Sequence, residues 1–474
     1  MKVGKEFVHP YMPNSVPEIK EEMLRKIGVK SVEEIYKSVI PDELLYKERL
    51  DLPEPILSEH ELKKHVMGIL DKNISTEEYT SFLGAGCYKH QVPALCDEIN
   101  SRGEFLTGYC GDTYSDHGKM QAIFEYASMM GELLDADVVS YTNYDGGQAV
   151  SSSLRIALRV MECRNTPKTE VLVPSTMNPE IFSQAESYCR GTAKVVKAAY
   201  EPETGLMDLL DLEDKLKTGK VGAVFYENPS YLGFFETRGE KIAELAHQYG
   251  ALCIVQPEVA ALGIMESPMN LGADIVCGDI QPLGMHIQFG GGQAGFIACQ
   301  QDVELIREFP TYMYGIAETE KEGVYGWGRA MNERCSHGSR ENANEYFGTE
   351  TGLWGITAGV YLACMGPQGM YELGETIIQN VNYAIRKLKE VPGIRVNVFQ
   401  NRNFQEFVVD FTDTGKTVKE INQALLKERI FGGKDLSGDF KELGQSALYC
   451  VSELTTATEI DHLAEVLDKI VRGC

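Results

Sequence analysis

Residues 109–117 gather side chains that can transfer protons, directly ahead of an apolar stretch that predicts a helix over 120–134. General acid–base chemistry needs a group that holds or releases a proton at a fixed position, and tyrosine and histidine can both do so. The candidate catalytic residues in this run are Tyr109, Tyr114 and His117. A polar loop in which Ser115 or Asp116 caps the helix explains the same composition. The sequence favours neither interpretation.

A second polar run, residues 337–350, also precedes an apolar helix and contains the adjacent pair Arg340 and Glu341. An arginine guanidinium can hold a substrate carboxylate through two parallel hydrogen bonds. We therefore treat Arg340 and Glu341 as a second set of candidate catalytic residues. A capping loop is the simpler alternative and is slightly favoured.

The turn Asn143–Gln148 joins a predicted strand to a predicted helix and contains Asp145 and Gly146. Glycine lets the backbone approach a ligand closely, and the free N–H groups of a helix N-terminus attract phosphate. The helix dipole adds only about 0.3–1 kcal/mol, so the turn cannot define a site alone. A plain turn with Asp145 as the helix cap fits equally well.

The composition limits the possible classes of function. The chain has 474 residues, 43% apolar and 24% charged, as in an ordinary globular protein. Its net charge of −25 argues against nucleic acid or an anionic membrane as a partner. Solubility explains this acidity, and a docking surface for a basic partner is the alternative. With no signal peptide, no spanning segment and no C-x-x-C pair among the twelve cysteines, we predict a cytoplasmic location and no metal site.

Four regions are predicted along the chain: an N-terminal helical arm over 1–75, a large α/β domain over 76–310, a loop and linking helix over 311–365, and a small C-terminal α/β domain over 366–474. In the second region short apolar strands alternate with helices, which predicts a mainly parallel sheet covered on both faces. The Gly/Tyr-rich stretch Tyr312–Gly328 is predicted as loop. This α/β layout matches fold type I of the pyridoxal-phosphate-dependent transferases, with its large domain and its small C-terminal α+β domain.

The loop within Gly272–Gly292 lacks a residue that fold type I enzymes carry there. Those enzymes use a lysine of this loop to hold the cofactor as a Schiff base, which requires an amine. Here the segment contains no lysine, and Gln281 lies in the loop. The fold also places a carboxylate just past a strand end to pair with the pyridine nitrogen. Glu258 is in such a position, although a structural carboxylate is the simpler interpretation.

Many short segments, dispersed over nearly the whole chain and in one order, carry a family resemblance. The segments are YMPNS from Tyr11, FLGAGCYKHQVPA from Phe82, SRGEF from Ser101, QAIFEY from Gln121, YDGGQA from Tyr144, GADIVCGDIQPLG from Gly272, FGGK from Phe431 and SELTTATEID from Ser452. The chain resembles subunit 1 of the two-subunit glycine dehydrogenase (decarboxylating) family, the P-protein of the glycine cleavage system.

This resemblance implies an enzyme active only with a partner chain. Subunit 2 of the P-protein would carry the lysine and hold the pyridoxal phosphate. Asp145, Gly146 and Glu258 would mark this chain's own degenerate cofactor pocket. Together the chains would decarboxylate glycine and pass the aminomethyl group to the lipoyl arm of the H-protein, as a heteromer such as a heterotetramer.

Two segments depart from the family pattern. Residues 110–118 read CGDTYSDHG where the family has a segment like TPYQPEISQG, and residues 340–351 read RENANEYFGTET where it has REKATSNICTNQ. Both are the runs that hold the candidate acid–base and anion-binding residues. The alternatives are therefore a paralogue acting on another small amino acid, or a non-catalytic scaffold for the lysine-bearing chain.

Overall fold

A computed structural model of the chain describes residues 8–46, 48, 50–105, 117–334, 336–347 and 350–473. The chain divides into two compact units, Met1–Ile74 and Ser75–Cys474. The helices of the first unit are α1 (Pro17–Ile27), α2 (Val32–Lys37) and α3 (Glu59–Leu70). Helix α1 begins at a proline. Proline has no backbone N–H, which does no harm in a first helical turn because N–H groups there have no partner within the helix. The helix ends at Gly28, which adopts the left-handed conformation (φ 88°).

The second unit contains both strands and helices. Its strands are β1 (Thr80–Ser81), β2 (Val138–Val139), β3 (Glu170–Pro174), β4 (Lys194–Ala198), β5 (Val221–Asn228), β6 (Leu252–Pro257), β7 (Ile275–Asp279), β8 (Gly295–Cys299), β9 (Tyr314–Glu318), β10 (Tyr325–Arg329), β11 (Arg395–Val396), β12 (Glu406–Asp410), β13 (Ile430–Phe431), β14 (Lys434–Asp435) and β15 (Ser446–Cys450). Its helices are α4 (Ala94–Asn100), α5 (His117–Leu134), α6 (Gly146–Cys163), α7 (Pro179–Cys189), α8 (Leu209–Leu216), α9 (Gly239–Gln248), α10 (Val303–Ile306), α11 (Ser336–Ser339), α12 (Gly352–Leu388), α13 (Val418–Lys427) and α14 (Ala457–Arg472).

Seven strands form the central sheet, in the order β2-β8-β7-β6-β5-β3-β4. The strands from β7 to β4 run parallel, whereas β8 is antiparallel to both of its neighbours. All residues of the central strand β5 are buried, as expected where helices cover both faces of a sheet. The prediction of an α/β fold with a mainly parallel sheet is confirmed.

Helix α12 connects the large sheet to the C-terminal part of the chain. It is 37 residues long, and its backbone leaves the helical conformation at Gly366 (φ 59°), just before Pro367. Proline cannot donate the helical hydrogen bond and clashes with the preceding turn, so the break falls at this point. The linking helix predicted before residue 366 thus continues beyond this break into the C-terminal part. Among the described helices, none is long and apolar enough to cross a lipid bilayer.

The stretch predicted as loop over 312–328 contains the antiparallel hairpin of β9 and β10. Its apolar side chains alternate with small residues, and that period of two is typical of a strand. The Trp327 ring packs on Phe124 at a centroid distance of 4.9 Å, and Tyr314 packs edge-on against Tyr141 at 5.4 Å. The many glycines obscured this pattern in the sequence.

The C-terminal part carries a four-stranded antiparallel sheet in the order β11-β12-β15-β14. Helices α13 and α14 each begin with a capping box, in which a threonine and a glutamate satisfy each other's backbone N–H groups. The short strand β1 pairs in parallel with β13. This pairing brings the glycine-rich segment that follows β1 beside the C-terminal sheet.

Candidate functional site

A cavity of about 440 Å³ lies where the carboxyl ends of β5, β6 and β7 meet the start of α6. Ligands of open α/β sheets bind at such strand ends. Asp145, Gly146 and Glu258, which were predicted from separate segments, all line this cavity. The glycine-rich segment 84–88 and residues 404–406 of the C-terminal part complete its wall.

Gln281 is buried and uses its whole amide group within the protein. Its Oε1 accepts a hydrogen bond from the Tyr88 N–H (3.1 Å), and its Nε2 donates to the carbonyls of Tyr88 (2.9 Å) and Met285 (3.0 Å). The side chain that stands in the expected lysine loop therefore ties that loop to the glycine-rich segment. Its role in this structure is to hold two backbone segments together.

The N-terminus of α6 is already occupied by carboxylates of the chain itself. The Gly146 N–H donates to Asp279 Oδ2 (2.9 Å), and the Gln148 N–H donates to Asp145 Oδ1 (2.7 Å). The other oxygen of Asp279 accepts from the Gln281 N–H at 2.8 Å. Burial raises the pKa of Asp279 to about 7. Two of the N–H groups at the start of α6 are thus bonded to acidic side chains instead of being free for a phosphate.

Glu258 follows β6 and begins a short 3-10 turn. Its Oε1 accepts a hydrogen bond from the Ala260 N–H (3.2 Å). Burial raises the pKa of Glu258 to about 7, and the nearby His90 partly opposes that rise. The second oxygen of Glu258 has no hydrogen-bond partner among the residues that the structure describes, so it is available to a ligand.

Glu227 lies near the end of β5 and is buried. Its two oxygens accept hydrogen bonds from the N–H groups of Asn178 (3.2 Å) and Tyr231 (3.3 Å). Burial raises the pKa of this carboxyl to about 8. An acidic residue near the end of an otherwise apolar strand is a signal that the sequence alone carries.

Glu406 joins the cavity from the start of β12. Its oxygens accept from the Ala85 N–H (2.6 Å) and from the Tyr88 hydroxyl (2.9 Å). Burial raises its pKa to about 7, and the proximity of Glu258 adds to that rise. No local pattern marks this residue, because its partners lie more than 300 positions earlier in the chain.

The cation in the wall of this cavity is Lys434. Its ammonium group is 3.6 Å from a carboxylate oxygen of Glu180 and 5.7 Å from the centre of the Tyr231 ring. The other charged residues that line the cavity are acidic: Asp145, Glu180, Glu227, Glu258, Asp279 and Glu406. The site therefore has a strong excess of acidic groups.

Comparison with known proteins decides the family. The family model of the glycine cleavage system P-protein matches residues 9–467. The chain belongs to the glycine cleavage system P-protein family. Similar proteins include the probable glycine dehydrogenase (decarboxylating) subunit 1 of Staphylothermus marinus, 34% identical over 98% of both chains. That of Carboxydothermus hydrogenoformans is 36% identical over 96% of this chain and 99% of the relative.

Solved structures agree with this family and with the predicted fold. The crystal structure of an inhibitor-bound glycine decarboxylase (P-protein) superposes with a TM-score of 0.84 at 28% identity, covering 98% of this chain and 100% of that one. The sphingosine-1-phosphate lyase of Burkholderia pseudomallei gives a TM-score of 0.65 at 14% identity, covering 92% and 94%, which bears on the fold alone. Fold type I, predicted from the order of elements, is confirmed.

The cavity of this P-protein family member does not fit pyridoxal phosphate. The cofactor needs a lysine for its aldehyde and several donors for its phosphate. Gln281 stands in the lysine loop, and the N–H groups at the start of α6 donate to Asp145 and Asp279. The described residues that line the cavity also offer little positive charge to a phosphate dianion, because their cation, Lys434, lies beside the carboxylate of Glu180. We therefore derive no chemistry of the cofactor in this cavity.

Of the remaining candidate residues, Arg340 and Glu341 are described and do not line the cavity. Tyr109 and Tyr114 are outside the described residues, as is the side chain of His117, the first residue of α5. Arg340 and Glu341 are exposed in a short 3-10 turn, Arg340–Asn342. The structure therefore does not bring Arg340 and Glu341 together with Asp145, Gly146 and Glu258, and the roles of all these residues stay predictions.

The segment around Arg340 is nevertheless anchored to the large sheet. Glu345 accepts a hydrogen bond from the Ser152 hydroxyl (2.7 Å), and Asn344 donates to Glu308 (2.7 Å). Glu308 in turn pairs with the buried Arg159 at 2.6 Å. The turn that carries Arg340 is thus followed by firmly held residues, while its own guanidinium faces outward.

Proposed function

We propose that this chain is the non-lysine subunit, subunit 1, of a two-chain glycine dehydrogenase (decarboxylating) of the glycine cleavage system. The observation that carries the proposal is full-length similarity to relatives of that name, combined with Gln281 in a hydrogen-bonded, buried place within the lysine loop. The amide of Gln281 is fully hydrogen-bonded there and ties the loop to Tyr88 and Met285.

The cofactor of the complex would be pyridoxal phosphate, held by the lysine-bearing subunit 2. Two features of this chain support that division. The donors at the start of α6 are bonded to carboxylates, and the cavity carries an excess of acidic groups. Both oppose an anionic cofactor here, which leaves the partner to supply the chemistry of the cofactor.

The contribution of this chain to the shared site would come from its two divergent runs. Arg340 forms no ion pair with any described residue, so its guanidinium is free to hold the carboxylate of glycine through two hydrogen bonds. Glu341 would stand beside it, and Tyr109, Tyr114 and His117 would supply proton-transfer groups. The aminomethyl group would pass to the lipoyl arm of the H-protein, in the cytoplasm.

The test is the exchange of labelled bicarbonate into glycine. This chain is co-expressed with a lysine-bearing partner, and a lipoylated H-protein is added. Exchange that needs both chains supports the proposal. A stable two-chain complex without exchange would contradict it, and the altered runs 110–118 and 340–351 would then direct the search to other small amino acids.

A scaffold role is separated from a catalytic one by a pair of variants. In Arg340→Gln the free guanidinium is lost, whereas in Arg402→Gln an exposed arginine of the C-terminal part is lost. If exchange falls only in Arg340→Gln while the complex still assembles, this chain contributes to the chemistry. Equal exchange in both variants would leave it a structural role.

A further inference from the structure

The cavity that does not fit the cofactor is still a formed binding site. Its volume of about 440 Å³ is in the range of sites that hold small organic ligands. Its wall combines the acidic groups with apolar surface from Ile181, Pro257 and Phe404. Without a ligand to bind, side chains would be expected to pack into such a space, because protein interiors have few voids.

Several polar groups of the wall have no partner within the part of the chain that the structure describes. Asn178 is 93% buried, since only 7% of its surface is exposed, and its Oδ1 caps α7 while its Nδ2 donates no hydrogen bond. That Nδ2 lies 3.4 Å from where a Cβ would stand on Gly86, against the glycine-rich wall. The amide of Gln256 is likewise unpaired, with a fully buried Oε1.

These unpaired groups have a specific pattern. Asn178 offers a donor, whereas Glu258 and Gln256 offer acceptors. Buried polar groups in native proteins almost always have a partner, and leaving one unpaired costs about 1–3 kcal/mol. A molecule with both a donating and an accepting end would satisfy both sides of this wall at once.

We propose that this cavity binds a small organic amine, with its ammonium group at Glu258 and the adjoining carboxylates, a neutral oxygen at Asn178, and an apolar body against Ile181 and Phe404. A cationic ligand would thus bind at the strand ends where related enzymes hold their anionic cofactor. This inference does not depend on the reaction proposed for the two-chain complex.

The chemistry of the wall disfavours anions and metal ions. An anion would face six carboxyl groups and one lysine that is already beside Glu180. For a metal ion, the described residues contain no cluster of three or more histidine, cysteine, aspartate or glutamate side chains that could hold one. An ammonium ion suits the site because it donates to several carboxylates without fixed geometry.

Binding should be linked to protons. Burial raises the pKa of Glu258 and Glu406 to about 7, so part of these groups is protonated at neutral pH. A cation favours the ionised form, so its binding releases protons from the cavity. Affinity is therefore expected to rise between pH 6 and pH 7, below the range of about 7.7–8.0 in which an α-ammonium group itself loses its proton. The charged and titratable groups that face Glu258 and Glu406 are His90, Tyr88, Glu227, Cys450 and Lys434.

The experiment compares two probes of the same shape by calorimetric titration of the full chain. Leucinamide carries an ammonium group and a neutral amide, whereas leucine carries a carboxylate in place of the amide. We expect leucinamide to bind and to release protons, and leucine to bind at least about tenfold more weakly. Absence of leucinamide binding at millimolar concentration, or equal binding of the two probes, would overturn the proposal.

Variants locate the binding. Glu258→Gln keeps the size of the side chain and removes its charge, and is expected to weaken leucinamide binding by about tenfold or more, as for a charged hydrogen bond. Asn178→Ala tests the neutral oxygen separately. Glu375→Gln, on the exposed side of α12, is the matched control and should leave binding unchanged. Unchanged binding in both cavity variants, with unfolding curves like that of the unaltered chain, would place the ligand elsewhere and reject the site.

Discussion

Two regions of this molecule differ in whether their polar groups are hydrogen-bonded within the chain. At the strand ends around α6, the groups that a cofactor would use are bonded to the chain's own side chains, as in the contact of Gly146 with Asp279. In the turn at Arg340, the guanidinium is exposed and unpaired with respect to the described residues, while the residues after it are anchored. Under the proposed function, the first arrangement belongs to a cavity that no longer holds the cofactor and the second to an arginine that binds the substrate. In the first, donors are bonded within the chain. In the second, a charged group is exposed beside anchored residues.

The strongest test of this contrast restores the lysine. In Gln281→Lys the amide that bridges Tyr88 and Met285 is lost and an ammonium group enters a buried place. Because the three hydrogen bonds of the amide are lost and a charge is buried, we expect a loss of about 2–4 kcal/mol in the free energy of unfolding. Urea unfolding measures the loss. Incubation with pyridoxal phosphate should yield no Schiff-base absorbance band.

Gln281→Met is the control matched in size. It should lower the free energy of unfolding by less than Gln281→Lys does, because no charge is buried. A stable Gln281→Lys chain that forms the Schiff base would show that the cavity can still take the cofactor. The contrast between the two regions would then fail.

The second test concerns the free guanidinium. Removal of a charge-assisted bond to a carboxylate costs about 1.5–3 kcal/mol, so Arg340→Gln is expected to lower the exchange of bicarbonate into glycine about 10- to 100-fold in the two-chain complex. Stability should be unchanged, since Arg340 is exposed. Glu258→Gln serves as the comparison and should retain most of the exchange, because its cavity is not the reacting site.

The third test uses pH. Burial raises the pKa of Glu227 to about 8 and that of Asp279 to about 7, so the folded chain holds protons that the unfolded chain has released. Their stabilising contribution is therefore full at low pH and is lost as the pH rises through about 7–8, by at most about 1.4 kcal/mol per pH unit for each proton. Urea midpoints between pH 5 and pH 8.5 check this fall.

Glu227→Gln, which stays neutral, should flatten the dependence on pH. A stability that rises over the same range would mean that these carboxyl groups are ionised in the folded chain.

The smallest effect is expected at the helix cap. Asp145→Ala removes the acceptor of the Gln148 N–H and should cost about 1 kcal/mol, whereas Asp145→Asn keeps an oxygen and should cost a few tenths. Thermal unfolding of the two variants distinguishes them. Equal loss in both would indicate that the charge of Asp145, rather than its hydrogen bond, stabilises the turn.

Much of the fold could be predicted because the spacing of apolar residues along the chain indicates its helices and strands. Strand β5 begins with an apolar run between two helices, and α12 shows its break through Gly366 and Pro367. The hairpin β9–β10 was missed because glycines interrupt its alternation. Asp145, Gly146 and Glu258 could be grouped in advance only through the family resemblance, and the structure places all three in the cavity wall at the carboxyl ends of the strands.

The rest of the site could not be predicted for a physical reason. Glu406 reaches the cavity only because β1 pairs with β13 and carries the segment 84–88 to the C-terminal sheet. Such contacts depend on the tertiary arrangement and leave no mark within a window of neighbouring residues. Glu227 is different, since its place near the end of an apolar strand was visible.

The segment 82–91 has a consequence for the order in which the chain folds. Its residues form hydrogen bonds with Gln281, Glu406 and Glu453, the last through His90. These three partners are far from the segment in the sequence. Closing such long loops is slow, because chain entropy is lost before the contacts form. The cavity should therefore be completed late, once the C-terminal sheet is in place. The hydrogen-bonded backbone amides of Ala85, Tyr88 and Gln91 should exchange their hydrogen only when the whole second unit opens.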